Sequence, residues 1–286
     1  MAALTKAYDD LRDVAALAQQ STLSLKRVID ERDRAGVDGA GAAAGAERHE
    51  APDTNAFKYV VFQDRFRGAR DDIRQRLLHY LPLLSGASNV VEIGCGRGEL
   101  LDLLREHGVS ARGIDINDEM VETCRAQGLE VERVDALAFL HSQPDGSLGG
   151  LVAIQVIEHL EPAYLMQLLE TAHHKLMPGA PMILETINAA CWAAFFDAYI
   201  RDFTHARPLH PETMKYLAQA SGFRTVDLQF LSPLADEEKL PLVRTTAAPA
   251  GVDPTVADLV EAVNAHADRL NHRLFTFRDF AIIART

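Results

Sequence analysis

The most restrictive feature of this chain is an apolar strand that breaks into a run of glycines and restarts as a helix. Asn89-Val90-Val91-Glu92-Ile93 runs into Gly94-Cys95-Gly96-Arg97-Gly98, and a leucine-rich segment opens at Glu99. Closely spaced glycines let the backbone turn tightly and let a ligand approach it. The helix that follows offers unpaired N–H groups at its first turn. The spacing then selects among ligands. Counting from Gly94 and Gly96, a dinucleotide fingerprint needs a third glycine at position 99, which is Glu99. Glu92, two residues before the first glycine, would repel a pyrophosphate and suits a ligand with a cationic amino-acid end.

Around this turn the pattern alternates. The spacing predicts a helix over Arg70–Leu81, then strands over Asn89–Ile93, Arg112–Ile116, Glu130–Val134, Gly150–Gln155 and Pro181–Thr186. Helices over Glu99–His107, Asp118–Gln127, Leu137–His141 and Ala163–Leu176 separate them. A helix over Pro211–Ala220, a strand over Arg224–Leu231, a helix opening at Asp253-Pro254 and a strand over Leu274–Ala284 complete the series. Strands alternating with helices through short turns imply an α/β fold: a doubly wound, mostly parallel seven-stranded sheet of Rossmann-like type.

The first fifty residues read differently. Residues 1–34 carry apolar positions at alternating steps of four and three and predict a single helix, able either to pack on its own domain or to self-associate or dock. Residues 35–51 are rich in Gly and Ala and predict a flexible linker. The α/β domain is then expected over 52–286, with insertions at about 187–210 and 233–272. In 286 residues, 48% hydrophobic side chains suffice for a sizeable core. A net charge of −12 argues against a phosphate-tracking nucleic-acid partner. Cys95, Cys124 and Cys191 lie far apart and are expected as reduced thiols. No apolar run is long enough to span a bilayer, and acidic and basic residues interrupt the N-terminus. A cytoplasmic location follows, with attachment to a membrane-bound complex left open.

Three further elements line up with the glycine turn. Asp115, in Gly113-Ile114-Asp115-Ile116, ends the second strand, where an acid can accept from both hydroxyls of a ribose. Ile116 can cover one face of an adenine. Asp135, in Val134-Asp135-Ala136, ends the third strand and can accept from an adenine amino group, unless it is only a helix cap. Gln155-Val156-Ile157-Glu158-His159-Leu160 ends the fourth. Ligands of open α/β sheets bind beyond these carboxyl ends.

The motif E-x-G-x-G-x-G, with its acid two residues upstream, resembles the first motif of class I S-adenosylmethionine-dependent methyltransferases. The other elements follow in the order that this family shows. The resemblance implies S-adenosylmethionine as cofactor, held by Glu92, Gly94, Cys95, Gly96, Gly98, Asp115, Ile116, Asp135, Ala136, Gln155 and Val156. Tyr59, Phe62, Arg65 and Arg67 precede the core and can fold over the cleft, where Tyr59 and Arg67 are further candidate cofactor contacts and Arg65 or Arg67 can meet the cofactor carboxylate or the acceptor; the alternative is a surface ion pair with Asp64, Asp71 or Asp72. From Lys58 onward the chain is also similar to bacterial O-antigen or polysaccharide chain-terminating methyltransferases. That narrower resemblance rests on the stretches Tyr59–Gly68, Glu185–Asn188 with Cys191-Trp192, and Tyr199–His205 through Pro208–Glu212.

Methyl transfer from a sulfonium mainly needs alignment, and a hydroxyl acceptor also gains from a base. His159, His205 and His210 are the candidate bases. Glu158, Trp192, Tyr199, Arg201 and Arg207 are the candidate acceptor contacts, since aromatic faces beside hydrogen-bonding groups suit a sugar and arginines suit a phosphate or carboxylate. The bland alternatives are a lid packed by its own aromatics and a His210 that merely starts the helix at Pro211. No metal is expected from the spacing of carboxylates and histidines. The leading expectation is O-methylation of a sugar or sugar-phosphate in surface polysaccharide synthesis. The alternatives are methylation of a small metabolite or a lipid or quinone precursor, and a non-enzymatic assembly subunit that senses the cofactor.

Overall fold

The computed structural model describes residues 68–244 and 254–286. The helix expected over 1–34, the linker over 35–51, and Tyr59, Phe62, Arg65 and Arg67 lie outside the described residues. The compact unit that carries the site is Ile73–Thr286.

Helix α1 (Arg70–Leu77) gives way to a tight turn at Leu78–Tyr80 and a short helix α2 (Leu81–Leu84). The sequence suggests one unbroken helix to Leu81. Pro82 explains the difference, because it has no N–H to donate and its ring collides with the carbonyl four residues earlier. The first half of the sheet then follows the expected order: β1 (Val90–Ile93), α3 (Glu99–Glu106), β2 (Ala111–Asp115), α4 (Asp118–Ala126), β3 (Val131–Arg133) and α5 (Ala136–Ser142). The second half comprises β4 (Gly150–Ile154), α6 (Pro162–Lys175), β5 (Pro181–Ile187), the helical turn α7 (Trp192–Ala194), α8 (Pro211–Ala220), β6 (Thr225–Pro233), α9 (Pro254–Leu274) and β7 (Phe277–Arg285).

The seven strands form one sheet in the order β3-β2-β1-β4-β5-β7-β6. Strands β1 to β5 are parallel, whereas β7 inserts between β5 and β6 and runs antiparallel to both. Every residue of β1 and β4 is buried, as expected of strands covered on both faces. Their side chains alternate between two cores. Val91, Leu151, Leu184 and Ile282 face α5, α6 and α8. Val90, Val152, Ile183 and Ala281 face α3 and the segment Ile73–Leu84.

The insertion after β5 is partly helical. Beyond α7 the chain widens into a π-helical turn at Phe195–Tyr199. Such turns are rare and redirect the side chains that follow. In α9 the apolar stripe Val256, Leu259 and Val263 is exposed, and Ala267 is its buried residue. The three cysteines are buried free thiols. Among the described residues no helix is long and apolar enough to cross a membrane.

Candidate active site

The glycine turn is fixed from below. The Gly94 and Cys95 amides donate to the Ile114 carbonyl at 2.8 and 3.3 Å, which ties the loop to the end of β2. Gly94 has φ 64°. A Cβ there would stand 2.5 Å from Cγ2 of Val156, so the Val156 side chain lies against the Gly94 backbone where a larger residue would collide. Gly98 has φ 78°, and a Cβ would meet Leu129 Cδ1 at 2.5 Å. Cys95 is buried beneath the loop. A hydrogen bond with Cys124, together with burial, raises its thiol far above the ordinary range. Cys124 in turn donates to the Gly96 carbonyl. The cysteines therefore brace the loop, and Cys95 faces any ligand with its backbone rather than its thiol.

Asp115 is aimed by backbone amides. Its Oδ2 accepts from Gly96 N at 3.0 Å and its Oδ1 from Asn117 N at 2.9 Å. Each carboxylate oxygen can accept more than one bond, so a diol remains within its capacity. Ile116 stands beside it 72% exposed, an apolar side chain held in solvent at the strand end. Glu92 is buried at the end of β1. A glycine cradle closed by Val156, an oriented acid and an adjacent apolar surface together fit a nucleoside carrying an amino-acid chain.

Asp135 caps α5. Its Oδ1 accepts from Ala138 N at 3.0 Å, and its Oδ2 accepts from the Tyr164 hydroxyl at 2.7 Å. Ala136 is the first residue of that helix. The cap is the reading that the structure supplies for Asp135. Gln155, expected to face the cofactor, turns elsewhere. It adopts φ 56°, and its amide donates to Asp279 Oδ1 at 3.1 Å.

The structure thereby exposes a network that sequence reasoning missed. Glu185 and Asp279 lie on one face of the paired β5 and β7. Arg76 donates to both at 3.1 Å, and the Tyr80 hydroxyl donates to Glu185. Burial and the neighbouring Asp279 raise the proton affinity of Glu185 despite those partners. The available signal is the single acid carried by each of these two strands, Glu185 in β5 and Asp279 in β7.

The acceptor side gathers at the end of β4. Glu158 is 1% exposed. Neither carboxylate oxygen, nor the nearby Thr186 hydroxyl, has a partner at hydrogen-bonding geometry among the described residues. Burial pushes this carboxyl up to about 8. Its backbone carbonyl accepts from Ala206 N at 2.8 Å, which brings the insertion after β5 over the strand end. His159 Nδ1 meets Thr204 Oγ1 at 2.9 Å, while that hydroxyl donates to Asp202 Oδ1 at 2.6 Å. The hydroxyl has one proton to give, so His159 Nδ1–H is the donor. His205 Nδ1 meets the Tyr199 carbonyl at 2.7 Å and must also be a donor. Both rings thus keep a lone pair on Nε2. Burial and the neighbouring His205 lower the proton affinity of His159. The two imidazoles sit 4.7 Å apart, and Tyr199 stacks on His205 at 4.6 Å.

His210 is not part of this group. It is exposed, and its Nδ1 accepts from Glu212 N at 3.2 Å as the N-cap of α8, so its candidacy as a base gives way to a capping role. Arg201, in the turn after that helical segment, pairs with Asp197 four residues earlier, and Arg207 is exposed. Tyr199 is buried against Phe195 and His205. Trp192, Phe196 and Ile200, four residues apart, present apolar surface to solvent, as does Phe203.

Residues 63–228, more than half of the chain, match the family model described as a methyltransferase domain. A solved S-adenosylmethionine-dependent methyltransferase from Archaeoglobus fulgidus is 34% identical with a TM-score of 0.72, over 80% of this chain and 99% of that one. A ubiquinone biosynthesis O-methyltransferase from Xylella fastidiosa is 30% identical over 123 residues, 41% of this chain and 48% of that protein. The chain spans about half the length of the ubiquinone biosynthesis relatives it matches. Phosphoethanolamine N-methyltransferase 2 of Haemonchus contortus, solved with S-adenosyl-L-methionine, shares the fold alone. It is 14% identical at a TM-score of 0.53, over 84% of this chain and 58% of that one.

Proposed function

The chain belongs to the methyltransferase domain family, and on that premise we propose that it O-methylates a small hydroxylated acceptor of the quinone-precursor type. The observation that carries this reading is the convergence of Glu158, His159 and His205 at the end of β4, two residues beyond the Val156 that touches Gly94. S-adenosylmethionine, when bound, supplies a methyl group already activated on a sulfonium. Gly94 to Gly98 would hold its amino-acid end, Asp115 its ribose and Ile116 its adenine. The chain's own task is to seat the acceptor hydroxyl in line with that methyl, exclude water and receive a proton. His159 and His205 each offer Nε2 to that hydroxyl, with Nδ1 anchored so that the rings cannot turn away.

The sugar acceptor expected from the sequence receives no support from these relatives, whereas the quinone-precursor alternative does, because several relatives are named for ubiquinone biosynthesis. The exposed apolar side chains that the insertion after β5 carries, Trp192, Phe196, Ile200 and Phe203, also suit an aromatic or aliphatic acceptor better than a polyol. The deciding experiment supplies radiolabelled methyl donor with a panel of phenolic and sugar acceptors. Label entering phenols supports the reading. Label entering only sugars overturns it, and so does the lack of any transfer by protein that binds S-adenosylhomocysteine.

A further inference from the structure

We infer that Glu158, His159 and His205 form a binding site for a divalent transition-metal ion, with a carboxylate oxygen and two imidazole nitrogens as its protein ligands. One ligand atom from each of the three lies within 4.8 Å of the others, close enough to surround one ion. Three features set this cluster apart from a chance grouping.

Glu158 is fully buried, and although the Thr186 hydroxyl approaches it, neither of its oxygens has a partner at hydrogen-bonding geometry among the described residues. A buried carboxylate is costly unless it is paired or coordinates a metal. Both imidazoles donate their Nδ1–H outward, His205 to the Tyr199 carbonyl and His159 to Thr204, which Asp202 orients in turn. This is the outer-shell arrangement that fixes metal-binding histidines and leaves Nε2 as the ligand atom. The 3.9 Å between His205 Nε2 and Asp202 Oδ2 is too long for a hydrogen bond, so that nitrogen is not spent on the carboxylate. Finally, the ligands come from two separate elements, the end of β4 and the insertion after π-helical Phe195–Tyr199. The Ala206 N–H holds the second over the first through the Glu158 carbonyl.

Two imidazoles and one carboxylate suit Zn2+, Co2+, Mn2+ or Fe2+ rather than Ca2+ or Mg2+, and three protein ligands leave coordination positions open. The consequence for chemistry rests on the methyltransferase reading; the binding itself does not. An acceptor hydroxyl on an open position would release its proton to solvent water. Its oxygen would then form the C–O bond as the S–CH3 bond breaks with its electron pair passing to sulfur. With an ion bound, the histidines would act as its ligands; in metal-free protein their Nε2 lone pairs stay open to the acceptor hydroxyl, as the methyltransferase reading has them.

The test uses untagged full-length protein stripped with a chelator and titrated with Co2+, followed by calorimetry and by visible absorption. Binding of about one equivalent is expected, with the ligand-field bands of a nitrogen- and oxygen-coordinated ion. Glu158→Gln, His159→Ala and His205→Ala should each weaken binding by more than about tenfold, while His174→Ala should leave it unchanged. S-adenosylhomocysteine binding, measured on the same samples, reports that each variant is folded. Absence of stoichiometric Co2+ binding by wild-type protein overturns the inference, as does binding that all three variants retain. Wild-type protein that binds Co2+ but not S-adenosylhomocysteine would instead overturn the methyltransferase reading and leave the metal site standing.

Discussion

Gly96 donates its backbone amide to Asp115 Oδ2 at 3.0 Å, so the acid at the end of β2 and the glycine loop after β1 are set by one another. Asp115 therefore has two duties, orienting the loop and presenting its charge to a ligand diol. Asp115→Ala is expected to weaken S-adenosylhomocysteine binding by roughly 1–3 kcal/mol, the loss typical of a hydrogen bond to a charged group. Isothermal titration measures this directly. Equal affinity in the two proteins would remove Asp115 from the cofactor site.

Gly98 combines a left-handed backbone with a closed environment. An added methyl would lie 2.5 Å from Leu129 Cδ1 and 2.9 Å from Cys124 Sγ. Gly98→Ala should be destabilising by about 1–3 kcal/mol from overpacking, beyond the backbone term. Gly146 provides the comparison, since its φ of 62° is similar but nothing lies within 4 Å of its added Cβ. Gly146→Ala should show only the left-handed penalty of roughly 1–2 kcal/mol. Equal shifts in urea midpoint for the two variants would contradict the packing argument.

Glu185 gives the fold a pH dependence of defined sign. Burial and Asp279 raise its folded-state proton affinity above that in the unfolded chain. The folded state then binds more protons than the unfolded state between the two values. The contribution is fully present below the unfolded value, about 4.3 for a glutamate, and is lost as pH rises through the folded value. Glu185→Gln removes the titration. The stability of wild type relative to this variant should therefore fall as pH rises from about 4.3 upward. Urea unfolding of both proteins across a pH series reads the difference, and a gap that widens in favour of wild type would reverse the assignment.

Much of the fold is legible because buried parallel strands must be apolar and glycine spacing is stringent. All seven strands fall where the pattern puts them, within a few residues. The antiparallel position of β7 between β5 and β6 is a property of long-range pairing, which local periodicity does not encode. The site is legible in the same proportion. Gly94 and Asp115 announce themselves through backbone requirements that few residues meet. Gln155 does not, because the direction of its side chain depends on Asp279, more than a hundred residues away. His205 and His210 look equivalent in sequence, five residues apart beside aromatics. They separate only because Thr204 reaches His159 while Pro211 starts a helix that needs a cap.

That separation makes a direct prediction about catalysis. His159 holds its imidazole at the strand end through Thr204, whereas His210 spends Nδ1 on the Glu212 amide at the start of α8. His159→Ala should therefore lower kcat by about 10²–10⁴-fold, the range ascribed to a positioned proton acceptor, and should leave the unfolding midpoint nearly unchanged. His210→Ala should do the reverse. It should cost about 1 kcal/mol of stability as a lost cap and leave kcat within about twofold of wild type. Thr204→Val offers a finer probe, since it frees the His159 ring without removing it. Its kcat should fall short of wild type yet exceed that of His159→Ala, because the imidazole remains but samples unproductive orientations. If Thr204→Val matches wild type, the hydroxyl does not orient the ring. If His210→Ala loses as much activity as His159→Ala, the division of labour between the two histidines is wrong.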